Sequence, residues 1–142
     1  MSELLKKAKE NYKSADLLCN RHKMWASSVH CSYYSCLQVI IHLIEDKTLN
    51  AKWEAFQKNA KGDKNIAKED LGMHNMYINF MKKQIMEVDY DSLRIFGKID
   101  NLKKARVASA YLNDEITEQR ANSSIERAKE VRDLLIENFI KS

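Results

Sequence analysis

Residues 25–46, WASSVHCSYYSCLQVIIHLIED, constrain this chain more than any other stretch, being rich in apolar residues and free of glycine and proline. Val29, Tyr33, Leu37, Ile40 and Ile44 recur at steps of four, four, three and four. That spacing draws one stripe along an α-helix, with Ala26, His30, Tyr34 and Ile41 forming a second stripe beside it. A helix apolar over so much of its circumference needs cover on several sides, which predicts the centre of a bundle. The remainder of the chain agrees. It has no proline and only three glycines among 142 residues, too few turn residues for a sheet protein. A chain of this length forms one domain and buries roughly 68–70% of its unfolded surface. The expected fold is all-α, an antiparallel up-and-down helical bundle of four to five helices over residues 1–142.

The flanking segments supply the covering helices. Ser2 is placed to cap a first helix with Leu5, Ala8, Tyr12, Ala15 and Leu18 on one face, and residues 20–23 form a polar break. Residues 47–72 read as a lysine-rich insert, with six lysines between positions 47 and 68. Within it, residues 49–60 suggest a helical piece turning Trp53, Phe56 and Ala60 to the body, while 66–72 is ambiguous. A helix over 73–88 carries Tyr77, Phe80 or Met81, and Ile85 inward; Asp91 or Ser92 can cap the next one. That helix, 93–112, aligns Phe96, Ile99, Leu102, Arg106 and Ala110 and stops at Asn113 and Asp114. A last helix begins near Thr117, with Ala121, Ile125, Ala128, Val131 or Arg132, Leu135 and Phe139 in its stripe.

Charge and cysteine usage exclude several function classes. The net charge of +4 is mild and both signs are interspersed, so the lysine-rich stretch reads first as a solvated face and only second as a phosphate-backbone patch. Three cysteines, an odd number without a disulfide-scaffold pattern, point to a reducing compartment. Cys31 and Cys36 are five apart, about 140° around a helix, and cannot share a metal ion. His22, His30, His42 and His74 include no three- or four-residue spacing, so no metal or cofactor is expected. The charged N-terminus lacks a signal core, and the eight-residue run LQVIIHLI is too short to span a bilayer. The expected protein is cytoplasmic and has no membrane partner.

Arg106 is the notable candidate residue, since it falls on an apolar stripe four residues after Leu102. Buried without a partner, such a charge would cost about 3–5 kcal/mol, so it calls for acceptors, a carboxylate or an anionic ligand. Tyr33 and Tyr34 are adjacent and point about 100° apart, letting one pack inward while the other reaches a neighbouring helix or subunit. His74 opens its helix, where a neutral imidazole can accept an amide or face solvent. Ser27, Ser28, Ser32 and Ser35 form a small-residue edge suited to close helix approach.

Taken together, the opening helix LLKKAKENYKSADLL, the stretch WASSVHCSYYSCLQVIIHLI, the segment LRIFGKIDNLKKARVASAY and the final RANSSIERAKEVRDLLIENFI resemble a HEPN domain. The resemblance covers nearly the whole chain and leaves residues 47–72 as a variable insert. It implies a small antiparallel bundle that works as a homodimer. Some members of that family are ribonucleases that use an arginine followed four to six residues later by a histidine. Arg106 aligns with that arginine, but Tyr111, Leu112 and Asn113 stand where the histidine belongs, and no histidine follows Arg106. Tyr111 titrates roughly three units too high to replace it. The resemblance therefore implies the non-nuclease branch: a non-catalytic interaction and nucleotide-binding module, with no catalytic residues. Its partners would be a small nucleotidyltransferase, in a toxin–antitoxin-like or defence system, and a nucleotide or RNA. Arg106, Tyr111, Tyr33, Tyr34 and His74 form the expected anion, nucleotide or interface site. The alternative is a degenerate, metal-independent ribonuclease that recruits Arg106, Tyr111 as a donor, and His74 or His30. Arg106 is expected beside a pocket between the central helix and the 93–112 helix, within reach of Tyr33 or Tyr34 and near a symmetric subunit.

Overall fold

The computed structural model describes residues 2–62, 72–111 and 115–140, apart from the side chains of Lys47 and Tyr111. The described residues are almost entirely helical and include no strand. The helices are α1 (Glu3–Asn20), α2 (Trp25–Glu45), α3 (Lys47–Gly62), α4 (Met73–Val88), α5 (Ser92–Phe96), α6 (Lys98–Tyr111) and α7 (Glu118–Leu135). A π-helical turn, Ile136–Ile140, continues α7.

Local chemistry explains the ends. The Ser2 hydroxyl accepts from the Leu5 amide at 3.2 Å and caps α1, and Thr117 does the same for the Arg120 amide at 3.1 Å to open α7. Lys23 adopts a left-handed conformation (φ 53°) that turns the chain out of α1, and the Met24 amide donates back to the Leu18 carbonyl at 2.7 Å. Before α5 the side-chain bonds come from Asp89 rather than from Asp91. Asp89 accepts from the Ser92 hydroxyl at 2.6 Å and the Asp91 amide at 3.1 Å.

Helix α2 runs through the middle and packs against α1, α7, α6, α3 and α4. Its first stripe is core: Val29, Tyr33, Leu37, Ile40 and Ile44 are all buried. The second stripe is not continuous core, since Ala26 and His30 are exposed and Tyr34 and Ile41 half-buried. Small residues set the closest approaches. Ser28 is buried and donates to the Ala15 carbonyl of α1 at 2.6 Å, while Ala121, Ser124 and Ala128 of α7 are all fully buried. Ser32 and Ser35 are also buried, whereas Ser27 is exposed.

The single helix expected over 93–112 is divided at Gly97, where the Asp100 amide bonds the Gly97 carbonyl at 3.0 Å and tightens the junction between α5 and α6. Phe96, Ile99 and Leu102 are wholly buried, as the stripe requires. Beyond them Ala105 and Ala108 take the core, while Arg106 is half-buried and Ala110 exposed. Each four-residue step overshoots a full turn by about 40°, so two in succession carry Ala110 away from the buried face. In the lysine-rich stretch, Trp53 and Ala60 are buried and Phe56 packs against them, joining the main core through Phe80 and Tyr77 of α4. Residues 66–71, Leu112, Asn113 and Asp114 lie outside the described residues.

Candidate functional site

Three helices bring polar aromatic and cationic groups to one place. Helix α2 contributes His30, Tyr33 and Tyr34, whose spacings of three and four put them on adjoining turns. Helix α6 contributes Lys103 and Arg106, and the first turn of α4 contributes His74 and Asn75. All are anchored by the core residues beside them, notably Ile99, Leu102 and Met76.

Arg106 is the hub. Its Nη2 donates to the Tyr34 hydroxyl at 3.1 Å, and its guanidinium carbon lies 5.3 Å from the Tyr34 ring centre and 5.5 Å from that of Tyr33. The two rings meet edge to face at 5.3 Å, so the cation borders both π-faces of the pair. Tyr33 is fully buried, and its hydroxyl is satisfied by Nδ1 of His74 at 3.1 Å. Burial raises the Tyr33 phenol well above its ordinary range, and Arg106 opposes that shift without cancelling it. His30 packs on the outer side of Tyr34, ring centres 4.7 Å apart. Lys103 donates to the Asn75 side chain, and Asn75, Lys103 and Arg106 engage further groups as well.

Both histidines are held toward the neutral form. Burial is the main cause for each; Arg106 adds to it at His30, and Arg106 and Lys103 add to it at His74. The site therefore joins a permanent cation to two imidazoles biased toward the neutral form, of which His74 is already engaged with Tyr33 through Nδ1. Beside it, a shallow groove of about 270 Å³ opens between α2 and α6, lined by Ala26, Ser27, His30, Cys31, Ser109 and Ala110. Among the described residues no set of three or more His, Cys, Asp or Glu side chains is arranged to hold a metal ion.

Arg106, Tyr33, Tyr34 and His74 thus meet within one chain, while the side chain of Tyr111 lies outside the described residues. Sequence reasoning missed Lys103 and Asn75. Lys103 carries a signal, lying three residues before Arg106 on the same helix; Asn75 carries none beyond following His74. No family model, curated protein or solved structure matches this chain.

Proposed function

We propose that the chain is an interaction module that binds the phosphate of a nucleotide or RNA at Arg106. On this reading it acts as a homodimer beside a separately encoded nucleotidyltransferase. The observation that carries the reading is the setting of Arg106, bordered by two tyrosine rings and bonded to the Tyr34 hydroxyl. A guanidinium oriented this way keeps a planar fork that can hold a phosphate by two bonds while aromatic faces support its stem. Neutral His30 and Lys103 flank it, and the α2–α6 groove gives the rest of a nucleotide a place to lie. Calorimetric titration with nucleoside monophosphates and a short oligoribonucleotide tests this. Binding should be saturable, weaken with salt and shift the His30 ring signals in NMR, and Arg106→Met should abolish that shift. A ligand-induced His30 shift that survives the substitution overturns the reading.

One observation favours a second reading, cleavage of RNA. His30 and His74 both adjoin the Arg106 cluster in a single chain, and a neutral imidazole can remove a proton from a 2′-hydroxyl. In that case RNA should be cut without added metal, and both Arg106→Ala and His30→Ala should stop the cutting while leaving circular dichroism unchanged. Intact RNA after prolonged incubation rules it out.

A further inference from the structure

Helices α3 and α4 enclose a second groove, of about 390 Å³, whose chemistry the Arg106 cluster does not use. Its floor is aromatic. Phe56 and Phe80 meet edge to face at 5.5 Å, and Trp53 backs Phe56 with ring centres 6.1 Å apart and planes 22° from parallel. Into this apolar wall α4 places Gln84, which is only 5% exposed. The Gln84 carboxamide is not among the side-chain groups sealed from solvent without a partner, so the little surface this residue keeps includes its polar end, in the lining of the groove. A carboxamide whose polar end opens only into an aromatic-floored groove has few competing partners there. Gln84 can complete its hydrogen bonds with whatever enters the groove. At the rim stand Lys83, and Lys52 in a long 4.0 Å pairing with Glu87, so the mouth carries a net positive charge.

We propose that this groove is a ligand site for a nucleobase-class heterocycle bearing an anionic substituent. The flat ring lies against Phe56, the Gln84 carboxamide reads its edge, and the anion turns to Lys83. A carboxamide offers one donor and one acceptor side by side, which matches the N6 and N7 edge of adenine in two bonds. The volume suits a ligand of nucleotide size. The groove is separate from the Arg106 cluster, because Gln84 and His74 are ten residues apart on α4, about 15 Å along its axis. A mononucleotide occupies one or the other.

The test uses the full chain carrying Arg106→Met, so that anion binding at the first site cannot contribute. AMP, adenosine and benzoate are titrated by calorimetry, and the Gln84 side-chain amide is followed by heteronuclear NMR. AMP should saturate and shift the Gln84 amide, adenosine should bind more weakly, and benzoate, which has a ring and an anion but no matching edge, should not bind. Adding Gln84→Leu should weaken AMP by about tenfold or more, with circular dichroism confirming the fold. Lys83→Gln should weaken AMP and leave adenosine unchanged. The proposal is overturned if AMP fails to saturate at millimolar concentration, if Gln84→Leu binds as well as its parent, or if benzoate competes on equal terms. None of these outcomes depends on whether Arg106 binds phosphate.

Discussion

At the scale of single residues, Arg106 divides its contribution between folding and function. Replacing it with Met keeps the stem's volume but removes the contacts to Tyr33 and Tyr34. The expected loss of stability is about 0.5–2 kcal/mol, measurable by urea denaturation, against complete loss of phosphate binding at this cluster. The histidines set a pH dependence. Their folded pKa values lie below the ordinary 6.5 because of burial and, secondarily, Arg106, with Lys103 also acting on His74. The unfolded chain therefore takes up protons first as pH falls below about 6.5. Stability is full above that value and declines until the folded-state pKa values are passed. Denaturation midpoints between pH 7.5 and 5 should fall for the native chain, and fall less for a His30→Gln, His74→Gln double variant. At Gln84 the expected change has the opposite sign. Gln84→Leu places an apolar side chain of similar size at a position only 5% exposed, so the melting temperature should rise, by about 2–4 °C per kcal/mol gained.

At the scale of elements, Gly97 is the informative position because it joins α5 to α6 with helical backbone angles (φ −57°, ψ −18°). A Cβ built there would meet the Leu93 and Arg94 carbonyl oxygens at 3.4 and 3.5 Å, which is ordinary contact. Gly97→Ala should therefore stabilise by about 0.4–1 kcal/mol, by restricting the unfolded chain, and a thermal melt would show it. A fall in stability would mean that the junction bends in a way alanine cannot follow. The same segment shows how far periodicity reaches. Phe96, Ile99 and Leu102 read correctly as core, but the four-residue steps to Arg106 and Ala110 drift off the buried face. Helix α2 behaves alike: its first stripe is buried throughout, and its second is exposed at Ala26 and His30.

At the scale of the whole molecule, α2 is the element the others cover, so its core side chains should be the most costly to truncate. Ile40 is fully buried, and Ile40→Ala should destabilise by about 2–5 kcal/mol. Val88, 60% exposed at the end of α4, should tolerate alanine within about 0.5 kcal/mol. Comparable losses at both positions would argue against a core centred on α2. No helix among the described residues is long and apolar enough to cross a membrane. The proposed dimer is tested by sedimentation equilibrium at micromolar concentration, where the chain should run at twice its mass of 16.6 kDa. A monomer throughout that range removes the dimer from the functional reading.

The sequence by itself determined the helical class, the central position of residues 25–46 and the helix starts at Ser2 and Thr117. These are properties of spacing and local hydrogen bonding along one segment. It also marked Arg106, since a charge on an apolar stripe is visible without coordinates. Only the tertiary structure decided what Arg106 meets. Its bond to Tyr34 joins residues 72 apart, Tyr33 and His74 are 41 apart, and Lys103 and Asn75 are 28 apart. Such pairings depend on how α2, α4 and α6 cross, and no local pattern specifies a crossing. The same holds for Gln84. In the sequence it is an ordinary polar residue on a helix, and the groove it shares with Phe56 exists only once α3 lies beside α4.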